Sequence, residues 1–382
     1  MSKLTALAQT LRPRTAPTLL GAAWPVVLAV GLGIVMQFVV RPGINDPYWS
    51  KLMLDIGINV VLAVSLTMVN GFTGQFSMGH AGFLAVGGYV AGAITYYFSL
   101  RTWGSAAMTG GAISGMVVRE GAALATPSDA MFLGALIAGG FVAALLGLAV
   151  GLPSLRLRGD YLAIVTLGFG EIVRVLITKT EPVIKSAEEA AATPWWQLPM
   201  HVGRSLGFTG LPKYTSLFWV YGAVAVTIVF ATRLKLSTFG RAFLAIREDE
   251  IAAEAMGVHT TRYKVWAFVL AAFFAGIAGG LSAHTLGVGI SGESAGFLKS
   301  FDIIIMVVLG GLGSISGATL AAAVVTLLPE WLRPVAEYRM VIYALALILM
   351  MIFRPQGLFG VREVWERGAW TWLPWMRKGA RA

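Results

Sequence analysis

Apolar runs long enough to cross a bilayer dominate the chain, separated by short polar stretches. Residues 19–40, 131–150 and 215–232 contain no charged side chain. Residues 52–69, 76–98, 161–178 and 265–284 carry one or two Asp, Glu, Lys, Arg or His each. At 1.5 Å per residue, about 20 apolar residues in a helix span a hydrocarbon core of about 30 Å. The pattern therefore predicts an all-α, polytopic transmembrane helix bundle of about 8–10 membrane segments, some of them broken or re-entrant. The first run is too long for a signal-peptide core and lacks a small-residue cleavage site, so it reads as a retained span.

Two of the runs are interrupted by glycine. Residues 70–80 read Asn-Gly-Phe-Thr-Gly-Gln-Phe-Ser-Met-Gly-His, and residues 301–328 are split by Gly-Gly-Leu-Gly-Ser-Ile-Ser-Gly at 310–317. Broken segments at corresponding places in two halves point to a transport path, because unwound backbone survives at membrane depth only beside protein or water. Gly71, Gly74, Ser77, Gly79, His80, Gly310, Gly311, Gly313 and Ser314 are the candidate path residues. The competing reading is close helix packing on small residues, with His80 a satisfied packing histidine. Helix N-termini at such breaks carry partial positive charge and carbonyl ends partial negative charge.

The positive-inside rule places the N-terminus (Lys3, Arg12, Arg14), Arg156, Arg158 and the 233–264 loop on the cytoplasmic side, with 99–130 and 179–214 outside. The basic C-terminal tail belongs inside too, which requires 301–328 to be two half-helices that enter and leave on one side. The last span, 340–353, is then thin at about 21 Å, with Arg339 and Arg354 snorkelling to the interfaces.

Charge changes the picture in one place. Only 13% of residues are charged, yet the 233–264 loop packs both signs densely. Phe243, Ile246 and Ala253 recur at helical spacing, predicting one helix from Phe239 to Met256, stopped by a left-handed Gly257 and followed by a helix capped by Thr260 or Thr261. A short folded loop of this kind suits a soluble partner. The net charge of +10 follows the span ends and gives no nucleic-acid footprint. There is no cysteine, and the four histidines lack i,i+4 spacing, so no metal, cofactor or thiol chemistry is expected. No Gly-Lys pair exists, hence no phosphate-binding loop for nucleotide hydrolysis, and no catalytic residue is assigned. Intramembrane ionisable groups are few: Asp55, His80, Glu171 and Arg174, His284, and Asp302. Glu171 and Arg174 can neutralise each other, while Asp55 and Asp302 are placed near hydrated span ends.

Several stretches carry a resemblance. Residues 151–174 (GLPSLRLRGDYLAIVTLGFGEIVR), 247–257 (REDEIAAEAMG), 310–317 (GGLGSISG), 353–359 (FRPQGLF) and 71–88 together resemble the permease subunits of bacterial branched-chain amino-acid ABC importers, of LivM type. Stretches 99–130 and 179–202 look longer than usual for that family. The Gly-rich stretch expected before residues 207–212 is reduced to Gly203 and its neighbours. The resemblance implies an inner-membrane importer of leucine-, isoleucine- or valine-type amino acids, with membrane lipid around it. Its implied partners are two cytoplasmic ABC ATPase subunits, a second homologous permease subunit and a periplasmic substrate-binding protein. It also implies that the loop helix enters a cleft on the ATPase. Arg247, Glu248, Asp249, Glu250 and Glu254 would make polar contacts there; Ala252, Ala253, Ala255 and Met256 would pack, and Gly257 would reverse the chain. The expected organisation is a cytoplasmic segment 1–18, a permease domain 19–354 and a tail 355–382, where Trp365, Trp370, Trp372 and Trp375 among arginines and lysines read as an interfacial anchor. Urea, short amides or small carboxylates remain open as substrates of the same architecture. An ion-coupled carrier and a membrane-embedded enzyme are the readings from other classes; the latter lacks a convergent nucleophile and base.

Overall fold

Asp46 accepts a hydrogen bond from Tyr48 N and precedes Pro47, a capping arrangement that starts the first fully described membrane helix. The computed structural model describes residues 19–43, 46–104, 111–114, 125–154, 160–285 and 290–332, with positions 338, 341, 344, 345, 348, 352, 357 and 363. Lys3, Arg12, Arg14, Arg156, Arg158, Arg339, Arg354 and the four tail tryptophans lie outside the described residues, as does most of the 340–353 span.

The helices are α1 (Leu19–Ile34), α2 (Pro47–Leu66), α3 (His80–Trp103), α4 (Pro127–Ser154), α5 (Asp160–Thr178) and α6 (Ala187–Ala192). They continue with α7 (Leu217–Leu236), α8 (Thr238–Glu248), α9 (Glu250–Ala255), α10 (Thr260–Ala283), α11 (Phe297–Gly310) and α12 (Ile315–Trp331). Wide π-turns extend α1 over Val35–Val40 and α2 over Thr67–Gly71. Among the described residues, six helical segments are long and apolar enough to cross a membrane, and Val27–Gly43 and Ile315–Trp331 are shorter apolar helices. No strand occurs among the described residues; Phe208 and Ile290 form one isolated bridge. The chain is an all-α polytopic bundle.

α10 is the central helix, packed against α2, α3 and α4. Lipid offers apolar groups no incentive to leave it, so close approach of small residues holds such bundles together. A methyl group on Gly87 would lie 2.3 Å from Gly276 O, and one on Gly139 would lie 2.6 Å from Gly87 O. Three helices therefore meet backbone to backbone at one crossing. The stretch after α5 folds into a cap of short helical turns: Tyr97 donates to His201 O, and Arg101 Nε donates to Ala190 O at 2.9 Å.

The predicted break in 301–328 is present. α11 ends at Gly310, and Gly311 (φ +105°) and Gly313 (φ +89°) turn the chain into α12. The two helices pack together so closely that a methyl group on Gly310 would lie 2.5 Å from Ala318 N. Two sequence expectations change here. The second span starts at Pro47 rather than at 52, which carries Asp55 two turns inside it, and α11 starts at Phe297 rather than at 301, which carries Asp302 past its first turn. His80 and His284 are buried and hydrogen-bonded, to Ser65 Oγ at 2.8 Å and Thr95 Oγ1 at 2.7 Å. Glu171 and Arg174 pair at 2.6 Å, as their spacing suggests.

Candidate functional site

The loop after α7 forms two helices, not one. Ser237 opens α8 by accepting from Gly240 N at 3.2 Å. At Asp249 the backbone turns extended (φ −157°, ψ 112°), and its carboxylate accepts from Ile251 N and Ala252 N at 2.9 and 3.0 Å. A side chain that caps a new helix so well ends the old one. Gly257 is left-handed (φ +85°) as expected, and Gly257 N donates to Glu254 O while Val258 N donates to Ala253 O. These two bonds close a Schellman motif. Thr260 begins α10 instead of capping it; His259 holds the cap position without a side-chain bond.

The inner face of this pair is apolar. Phe243, Ile246 and Ala253 are buried, and Phe239 and Phe243 pack edge-on to Tyr263 of α10. Ala253 therefore faces the protein's own bundle. Glu250 pairs with Lys264 Nζ at 2.7 Å, tying α9 to α10. The outer face carries Glu248, Ala252, Glu254, Ala255 and Gly257, together with Met256 (85% exposed) and Ile251 (69%). Ile251 was not singled out from the sequence.

Beneath these helices the two glycine breaks meet. A methyl group on Gly71 would lie 2.7 Å from Gly313 N, so the breaks touch through backbone. Arg247, at the end of α8, reaches across both: Nη1 donates to Gly71 O at 2.9 Å and to Leu312 O at 3.4 Å. Its stem lies over Gly74, a left-handed residue (φ +72°) where a methyl group would meet Arg247 Cγ at 3.1 Å. Lys235, at the end of α7, makes a second bridge. Its Nζ donates to Gly313 O at 2.9 Å and sits 6.0 Å from the ring centre of Phe72.

Lys235 also holds a carboxylate that no sequence pattern announced. Glu363, 2% exposed, pairs with Lys235 Nζ at 2.6 Å. It accepts from Ile315 N and Ser316 N at 3.0 Å each, from Ser316 Oγ at 2.7 Å and from Ser314 Oγ at 3.3 Å. These are the free N–H groups at the start of α12, a natural anion seat. Burial alone pushes the Glu363 carboxyl up; the Lys235 ammonium and the Ile315 and Ser316 donors outweigh it and hold the group below its ordinary 4.5. The tail thus returns to the same end of the bundle as the α8–α9 pair. Gly357 (φ +77°) follows suit, fitting against Gly311 N with no room for a side chain.

The remaining candidates of the first break lie beside α5. Met78 N donates to Thr166 Oγ1 at 3.0 Å, and Gly79 abuts Thr166 O. Ser77 N donates to Asn70 Oδ1 at 3.2 Å. Asn70 Nδ2 and Gln75 Oε1 are side-chain polar atoms buried within the first break without a hydrogen-bond partner. Gly292-Glu293-Ser294-Ala295-Gly296 spells a nucleophile elbow, but it forms a 3₁₀ turn with Ser294 Oγ bonded back to Ser291 O at 2.5 Å, not a strand-to-helix corner. No group of three or more potential metal ligands occurs among the described residues.

The family model for "Branched-chain amino acid transport system / permease component" matches residues 48–353. The chain is 34% identical over 317 residues to the high-affinity branched-chain amino acid transport system permease protein LivM of Salmonella typhimurium, covering 79% of this chain and 67% of that one. It is 25% identical to the probable branched-chain amino acid transport permease protein LivM of Methanocaldococcus jannaschii, over 82% and 94% of the two chains. To the high-affinity permease protein LivH of Salmonella typhimurium it is 24% identical, over 80% and 92%. No solved structure matches the chain. With that match spanning the six long membrane helices and both glycine breaks, the chain belongs to the permease-component family of branched-chain amino acid transport systems.

Proposed function

We propose that this chain is one of two homologous permease subunits of an ATP-driven importer of leucine-, isoleucine- or valine-type amino acids in a bacterial inner membrane. One of two cytoplasmic ATPase subunits docks on the outer face of α8 and α9, and a periplasmic binding protein delivers substrate to the cap at the far end. The observation that carries the reading is the pair of bridges from α7 and α8 to both breaks, Lys235 and Arg247. A push on α8–α9 reaches Gly71 and Gly313 through two cations, without passing through any flexible loop. The breaks form the inner end of the path, and their shared backbone contact closes it. Similarity to both LivM and LivH proteins supports pairing with a second permease.

The test is affinity purification of the chain from native membranes, followed by uptake measurements in reconstituted vesicles. Two ATPase subunits and a second permease should co-purify, and uptake should require ATP and a binding protein. A chain isolated alone, with uptake surviving ATP depletion under an ion gradient, would overturn the reading in favour of an ion-coupled carrier.

A further inference from the structure

Halfway along the second membrane segment, Asn59 stands twelve residues from both Pro47 and Gly71, about 18 Å from each. Lys299 of α11 and Thr326 of α12 each lie eleven residues from the Gly310–Ile315 turn, about 16 Å above it. All three reach the same depth by independent counts, and that depth is mid-membrane. They also touch. Asn59 Nδ2 donates to Thr326 Oγ1 at 2.9 Å, which turns its Oδ1 toward Lys299 Nζ at 3.3 Å. Asp55, one turn away on α2, and Asp302, one turn along α11, both act electrostatically on Lys299. Neither forms an ion pair with it within 4 Å, nor does any other described carboxylate.

Three features separate this cluster from a structural ion pair. The Lys299 ammonium has three donors, and its single described hydrogen bond is the long one to Asn59. Asp302 is exposed on the α11 surface at a depth where lipid offers a carboxylate nothing. Cation and anions are spread over α2 and α11 without closing into a pair, an arrangement that can admit a ligand bearing both charges. By contrast, the N-terminus of α12, the other seat for an anion, is already filled by Glu363.

We propose that Lys299, Asp302, Asp55, Asn59 and Thr326 form a mid-membrane site for the charged head of a zwitterionic α-amino acid. Lys299 receives the carboxylate and the two aspartates receive the ammonium. The site rests on the importer reading given above, because it takes its ligand from that reading.

The chain has no cysteine, so Thr326→Cys gives it a single thiol. In membranes holding the assembled transporter, a charged, impermeant methanethiosulfonate should modify that thiol, and leucine with the binding protein should slow the reaction. Lys299→Met should lower uptake by about ten-fold or more, with Lys299→Arg largely restoring it and all partner subunits still co-purifying. An unreactive thiol would show a face sealed by lipid or protein, and a reactive but unprotected one would show water without a site; either result overturns the proposal. Absence of amino-acid uptake by the wild-type complex, measured first, would instead refute the importer reading.

Discussion

Glu363 is the residue on which the local energetics turn. Its carboxylate neutralises a half-buried lysine and satisfies the free N–H groups of α12 at once. Removing its charge leaves Lys235 and a helix terminus without their counter-charge. Glu363→Gln should cost about 3 kcal/mol at neutral pH, seen as a lower unfolding temperature of the detergent-solubilised chain. The pH dependence has a definite sign. The folded-state value is depressed, so the contribution is complete above the ordinary 4.5 and is lost as pH falls through the folded value. The stability gap between wild type and Glu363→Gln should therefore narrow only once the pH falls below the ordinary 4.5, and a gap unchanged into acid would contradict the assignment. Lys235 and Glu363 are 128 positions apart, and neither sits in a recognisable motif, so nothing in the sequence joined them.

At the scale of elements, the α8–α9 pair shows what hydrophobic spacing conveys and what it conceals. The positions of Phe243, Ile246 and Ala253 fit a single helix, and all three are buried as that helix would bury them. The spacing survives the corner at Asp249, because a cap can restart a helix with its apolar face unchanged. Only the local chemistry of an aspartate before a short helical run reports the corner. Asp249→Ala should cost about 1 kcal/mol and blur the corner without unfolding the bundle, measurable as faster amide exchange at Ile251 and Ala252. Gly257→Val faces a stricter demand, since a β-branched residue at φ +85° strains the Schellman turn. The spans and the Gly310–Gly317 break were legible because length and hydropathy report a crossing, and a glycine cluster inside a run too long for one crossing reports a turn. The polar cluster around Lys299 was not, because a lone lysine in an apolar run acquires neighbours only when α2, α11 and α12 assemble.

On the scale of the whole molecule, the proposed docking face connects to the glycine breaks through two cations, and the two proposed functions should separate by mutation. Ile251 and Met256 project from α9 and its C-terminal turn, flanked by acidic side chains, as an apolar pair among charges at a surface that should face water. Such a patch on an otherwise charged face marks a protein contact. Arg247 points the other way, into the junction of the breaks. Charging the patch with Ile251→Glu and Met256→Glu should abolish co-purification of ATPase subunits and, with it, uptake. Arg247→Ala should leave the subunits bound, because it removes nothing from the outer face, yet lower uptake by about ten-fold or more through loss of coupling. Lysine at 247 supplies a charge, but its ammonium ends one bond short of the Nη1 that reaches Gly71 O and Leu312 O, so it should rescue only in part. The decisive comparison is uptake per bound ATPase. If Arg247→Ala and the doubly charged variant both lost the ATPase, the arginine would belong to the docking face. If Arg247→Ala kept both binding and uptake, the link between coupling helices and breaks would carry no motion, and the path would have to open by another route.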